Sequence, residues 1–297
     1  MHGQVVSARS TPVAFASVVV QPANASCTPQ GTAIGTVTDE HGQYQTVVDV
    51  GVGPAFHGCV VVEARSGGAK TAASALALFT SSKSDAQPVR VDVALPRAER
   101  PSSEERVQLV HDLAAAVNGM SVDPDLALHV QGGSEALRVA LEQYRLLFGT
   151  VTEVRVLPAD WSAYPFELRA ANGRTGRVTV EVDDLVRLHS PLLDYGPRSE
   201  RFVNAYIRAV ASGDAVRLAG LLSPDDIDYP IEDARELIVA YRRRYGDTAT
   251  IRGEFVDLDE TRNTITWRLR GRGAGGSEIT EDLVLRYGDG LLGVVGL

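Results

Sequence analysis

A change of rhythm near residue 100 constrains this chain more than any other feature. Before it no stretch shows helical periodicity, and short apolar or alternating runs recur between turn residues at 13–20, 31–37, 43–50, 59–64, 71–79 and 89–95. After it apolar residues return every three or four positions, as on one face of a helix. With the opening segment around Val5, the first region predicts seven short strands, too many and too short for anything but a small β-sandwich. Thr38-Asp39-Glu40-His41-Gly42-Gln43-Tyr44 reads as a hairpin, with Asp39 bonding its own backbone, Gly42 taking positive φ and Tyr44 returning a ring to the core.

The two cysteines, Cys27 and Cys59, both fall in this β-rich region. An even count in one small β domain predicts a disulfide and an oxidising compartment; the alternative is two buried thiols. The chain opens Met1-His2-Gly3-Gln4-Val5 without a charged or apolar leader, so the expectation is a mature extracytoplasmic chain, in the periplasm or at the cell surface.

Gly3-Gln4-Val5-Val6, Pro12-Val13-Ala14-Phe15-Ala16-Ser17-Val18, the 35–44 segment and Val60-Val61-Val62-Glu63-Ala64 together resemble the carboxypeptidase regulatory-like domain over residues 3–96. The resemblance implies a transthyretin-like seven-stranded sandwich used as a non-catalytic stabilising or adhesive module.

Residues 97–103 read as a polar linker. Ser102 and Glu105 form a capping box before Val107, Val110, Leu113, Ala114 and Val117, and a second helix runs over 134–148 before Gly149. Alternating stretches at 150–157, 163–170 and 177–188 follow. The plan then repeats: helices at 199–212, 214–222 and 230–245 precede strands at 248–258, 263–270, 278–287 and 291–295. Tyr144-Arg145-Leu146-Leu147-Phe148-Gly149 aligns with Tyr241-Arg242-Arg243-Arg244-Tyr245-Gly246, and Phe166-Glu167-Leu168-Arg169 with Trp267-Arg268-Leu269-Arg270. An internal duplication is the economical explanation.

Helices followed by a curved antiparallel sheet resemble the NTF2-like superfamily of cone-shaped α+β domains. Leu221-Leu222-Ser223-Pro224-Asp225-Asp226 and the closing 281–290 segment are similar to its envelope-lipoprotein branch. The expected fold is therefore multidomain: an all-β sandwich at 1–96, then two NTF2-like α+β repeats at 104–193 and 198–297. Enzymes of that superfamily place an acid or base inside the cone, which makes Tyr206, Asp228, Tyr241 and Trp267 in the second repeat, and His129 and Tyr144 in the first, candidate pocket residues. The competing reading makes the aromatics core and the aspartate a cap.

Charge narrows the partners. Residues 1–100 balance, so the net charge of −9 arises entirely beyond them. An acidic surface repels phosphate backbones, which argues against nucleic acid. No apolar run approaches the roughly 18 residues of a membrane helix. Gly271-Arg272-Gly273-Ala274-Gly275-Gly276 satisfies a dinucleotide pattern but precedes a strand, and the calcium-loop-like run from Asp257 has Arg262 where the loop needs glycine and Arg268 where it needs glutamate. The six histidines are scattered, with neither His-Glu-x-x-His nor Cys-x-x-Cys, so no metal, cofactor or catalytic residue is assigned. The expected function is a non-enzymatic extracytoplasmic binding or scaffolding protein with a protein partner, an accessory component of a bacterial envelope assembly. The alternative is a small-molecule enzyme or carrier using one cone as its pocket.

Overall fold

The structure, a computed structural model, describes residues 1–48, 55–80, 89–98, 100–120, 125–158, 163–223, 229–273, 275–288 and 291–295. It is a mixed α/β fold whose described residues form four sheets and five α-helices. The chain divides into two compact units, 1–138 with 150–190 and 139–149 with 191–297.

The first unit begins with seven strands: β1 (His2–Val6), β2 (Ser17–Ala23), β3 (Ile34–Val37), β4 (Gln43–Gln45), β5 (Ala55–Ser66), β6 (Ala69–Thr80) and β7 (Val93–Ala94). They make two sheets, ordered β4-β1-β7 and β3-β2-β5-β6. Alternate residues Val18, Val20, Val60, Val62 and Ala64 of the larger sheet share one buried core with Val5, Tyr44 and Val93 of the smaller. The apolar run at 13–20 becomes a strand only from Ser17, because Phe15 takes φ +58°. That conformation is unfavourable for a bulky residue and breaks strand geometry.

The Thr38–Tyr44 segment leads from β3 of one sheet to β4 of the other and is fixed by hydrogen bonds. The buried Thr38 hydroxyl donates to the Val13 carbonyl (2.7 Å) and accepts from Ala16 N–H (2.8 Å). Asp39 Oδ1 accepts from His41 and Gln43 N–H, and Gly42 at φ +70° packs against the backbone of Val5 and Val13. Tyr44 donates to the Val91 carbonyl at 2.6 Å, over Gly3, where any Cβ would strike that carbonyl. Thr38 and Tyr44 thus satisfy backbone groups that would otherwise be stranded in the core, and Asp39 orders the exposed turn between them.

The disulfide between Cys27 and Cys59 is formed, with Cα atoms 5.0 Å apart. Cys59 is fully buried on β5, and Cys27 lies in a loop ordered by Asn24, whose Oδ1 accepts from Ser26 and Thr28 N–H.

The same unit continues with α1 (Ser103–Val117), the first part of α2 (Gly133–Phe148) and the sheet β11-β10-β9-β8, formed by β8 (Val151–Val156), β9 (Ala163–Ala170), β10 (Thr175–Val182) and β11 (Val186–His189). The capping box is present: Ser102 Oγ accepts from Glu105 N–H and Glu105 Oε2 from Ser102 N–H. Asn118 follows α1 and bonds both backbone groups of Val151, standing in for a neighbouring strand. The stretch at 177–188 proves to be two strands, because Asp183 N–H donates to the Leu185 carbonyl and turns the chain. Gly67, at the tip of the β5–β6 hairpin, donates to Leu128 O (2.6 Å) and accepts from Val186 N–H (2.9 Å). Its φ is +52°, and a Cβ there would lie 2.5 Å from that of Leu185. Ala98, in the expected linker, donates to Asp184 O. Backbone bonds therefore tie the β-rich segment to the α+β segment within one unit.

The second unit contains the rest of α2, then α3 (Pro191–Ser212), α4 (Ala215–Leu222), α5 (Ile231–Tyr245) and the sheet of β12 (Arg252–Asp259), β13 (Thr264–Arg272), β14 (Glu278–Gly288) and β15 (Leu291–Val294). Helix α3 starts eight residues earlier than the expected Ser199, running through Gly196 and Pro197. Pro197 has no N–H for the carbonyl four residues back, that of Leu193, yet the helix runs on; Gly196 and Pro197 are buried, and Gly196 O accepts from the Ser199 hydroxyl (2.7 Å) and Gln143 Nε2 (3.2 Å). Packing overrides propensity there. Residues 248–250 form a short 3-10 turn rather than the start of a strand.

Both meanders are entered from a helix stopped by a left-handed glycine, Gly149 at φ +63° and Gly246 at +64°. On their second strands, 166–169 and 267–270 share the order buried, half-buried, buried, exposed.

Candidate functional site

The residues expected to line a pocket in the second repeat form a packed aromatic cluster. Tyr206 on α3 and Tyr241 on α5 project from neighbouring helices. Tyr206 donates to the Tyr241 hydroxyl at 3.2 Å, and the rings meet edge-on at 5.9 Å. Tyr245, one turn beyond Tyr241, stacks on it at 5.6 Å. From the sheet side Trp267 donates its indole N–H to Ser199 Oγ (3.1 Å) and packs edge-on against Phe255. Glycines let the layers approach: a Cβ at Gly253 would meet Val203, and one at Gly271 would meet Tyr245.

Exposure decides what this cluster can do. Tyr206 is 0%, Tyr241 5% and Trp267 6% exposed, so the rings face one another and not solvent. Burial pushes the Tyr206 phenol up to about 12, against the bond to Tyr241 that lowers it. Burial, then Tyr206, raises Tyr241 as well. Both hydroxyls are neutral at physiological pH and act as donors and acceptors to each other. Neither is poised as a base.

The other candidates separate. Tyr144 falls in the second unit, 2% exposed and tilted against Phe148 at 5.5 Å. His129 belongs to the first unit, in a 3-10 turn at 126–129 that the sequence reading missed. Its Nδ1–H donates to the Val186 carbonyl (3.1 Å). It lines a cleft of about 280 Å³ with Glu105, Arg106, Asp112, Asp125 and Leu126. Arg106 lies 3.4 Å from the centre of the Tyr164 ring, a cation–π contact that fixes its side chain. Asp228 lies outside the described residues. Its neighbour Tyr229 is half-buried, with its N–H on Ser223 Oγ.

A wider groove of about 790 Å³ opens in the first unit between β1, β3 and β4, lined by His2, Gln4, Phe15, Val37, Gln45 and Arg90 among others. Sequence reading did not single it out. Its one local signal was Phe15 beside Ala14 and Ala16, whose left-handed φ no composition reveals.

Two patterns set aside on sequence are turns in the structure. Gly273 N–H donates to Ser277 O between β13 and β14, and Asp259 spends its Oδ1 on the N–H groups of Thr261 and Arg262. Among the described residues no cluster of three His, Cys, Asp or Glu side chains is arranged to hold a metal, and no helix is long and apolar enough to cross a membrane. No protein-family model, curated protein or solved structure matches the chain.

Proposed function

We propose that this chain is a non-enzymatic, extracytoplasmic binding or scaffolding protein that works through a protein partner at the envelope. The observation that carries the reading is the filled interior of the second unit. Tyr206, Tyr241 and Trp267, the residues best suited to line a substrate pocket, are buried and spend their polar atoms on one another or on Ser199. A substrate would have to displace packed aromatic rings, each worth several kcal/mol of burial, about 2–3 kcal/mol per side chain on area alone. The Cys27–Cys59 bridge supports an oxidising compartment.

The family resemblances stand with the same proposal. A carboxypeptidase regulatory-like module at 3–96 accords with seven strands in two sheets and with the buried hydrogen bonds of Thr38 and Tyr44. NTF2-like repeats accord with two helix-led antiparallel meanders.

A second reading, a small-molecule carrier, has one observation in its favour, the His129 cleft with its fixed Arg106. Titration of the native chain with an environment-sensitive apolar naphthalene sulfonate separates the readings. The scaffold reading expects no saturable binding. Saturable binding abolished by His129→Ala or Tyr241→Ala, with melting unchanged, replaces it with the carrier reading.

A further inference from the structure

Sheet edges expose unspent backbone N–H and C=O groups, and soluble proteins protect them by shortness, bulges or charge. Among the described residues seven of the eight edge strands follow that rule. β3, β4, β7, β11 and β15 have four residues or fewer. β8 and β12 are longer, yet each is bulged, at Val151/Glu153 and Phe255/Asp257, and each carries charges, Glu153 and Arg155 on one, Arg252, Glu254, Asp257 and Asp259 on the other.

β6 breaks it. It is the outermost strand of β3-β2-β5-β6, runs for 12 residues, and keeps an unshifted register with β5 from Ala55↔Thr80 to Ser66↔Ala69. Its sequence, AKTAASALALFT, has no proline and one charge, Lys70. Gly67 and Gly68, at φ +52° and +76°, make the two-residue turn that sets Ser66 and Ala69 as a mutually bonded pair. Bonding to β5 therefore falls on odd-numbered residues of β6, and even-numbered residues aim their N–H and C=O away from the sheet. Lys70, Ala72 and Ser74 are exposed, and no backbone bond from them to another element exists among the described residues.

We propose that β6 is a homodimer interface, pairing antiparallel with β6 of a second copy to form one continuous eight-stranded sheet. The strand is self-complementary in that direction. With outward residues bonded in the register that sets Ser74 opposite Leu76, Lys70 faces Thr80 of the other copy. The two Lys70 residues then lie ten positions apart along the paired strands, about 34 Å at roughly 3.4 Å per residue. Each is paired with its own Glu63 at 2.9 Å, a carboxylate it shares with Arg65. No like charges meet, and the two-fold operator closes the assembly where a head-to-tail contact would propagate. A parallel pairing would set the two Lys70 side chains side by side. The inference is independent of what the second unit binds.

The experiment is sedimentation velocity on the full chain from about 1 to 100 µM, a range spanning ordinary specific affinities, with residue-resolved hydrogen exchange on the same samples. Expected are a concentration-dependent dimer and slowed exchange at Lys70, Ala72 and Ser74 as it forms. Ser74→Pro removes an N–H that β5 does not use, and Ser74→Lys adds a charge to each copy at the centre of the interface; both variants should be monomeric with fast exchange at 70 and 72. A wild type that stays monomeric overturns the proposal, as does a dimer that survives Ser74→Lys or leaves the even-numbered amides unprotected. Should both variants misfold, the wild-type exchange pattern decides by itself. Protection of the even-numbered amides only on adding another protein's extended peptide would assign the edge to that partner and refute the homodimer.

Discussion

Replacing Tyr241 by alanine asks whether the aromatic cluster of the second unit is core or pocket. Tyr241 is 5% exposed and packs against Tyr206 and Tyr245. Truncating a buried aromatic costs about 3–5 kcal/mol. The change also removes the acceptor of the fully buried Tyr206 hydroxyl, and a buried polar group left without its partner costs about 1–3 kcal/mol more. Partial relaxation offsets some of this, so a net loss of about 4–6 kcal/mol is expected, a large part of the roughly 5–15 kcal/mol that stabilises an ordinary domain. Tyr241→Phe keeps the ring and removes only the acceptor, and should cost about 1–2 kcal/mol. Urea unfolding followed by Trp fluorescence checks both, with the midpoint falling and the slope unchanged. If the alanine variant loses less than about 1 kcal/mol, the ring borders empty space, and the argument for a filled interior collapses along with the scaffold reading.

Three further outcomes follow from named contacts. Burial raises the phenols of Tyr44, Tyr206 and Tyr287 to about 12, against 10 when unfolded, so the stability they contribute is complete below pH 10 and is lost as pH rises from 10 towards 12. Absorbance at 295 nm should then show a late tyrosinate fraction appearing together with unfolding, and a titration complete while the fold persists would contradict it. Cys59→Ser should cost about 3–4 kcal/mol, the chain-entropy value for residues 32 apart, and mass spectrometry after alkylation without reductant should find no modified thiol on the native chain. Gly67→Ala should lose about 2–4 kcal/mol, from positive φ and from a Cβ driven against Leu185 and the Val186 backbone, whereas Gly35→Ala, with open space around it, should lose under about 1 kcal/mol by the same melt.

Much of this protein was legible in local chemistry. The capping box at Ser102 and Glu105, the stop glycines Gly149 and Gly246, the Asx turn at Asp39 and the period-two strands depend on residues a few positions apart, so the sequence by itself determined them. The pairing of Cys27 with Cys59 was also readable, because two cysteines in one small domain have one connectivity. Tertiary structure alone decided the rest. It extended α3 through Gly196 and Pro197, which are buried, with Gln143 bonded to Gly196 O, contacts that helix propensity does not contain. It broke the run at 13–20 at Phe15, where Thr38 N–H and hydroxyl bonds hold the flanking backbone. It also joined the β-rich segment to the first α+β segment, because Gly67 finds Leu128 and Val186 only across more than 60 residues of chain. Tyr206, Tyr241 and Trp267 look alike as core or as pocket in one dimension. Only the positions of the neighbouring rings, and the burial they impose, separate the two.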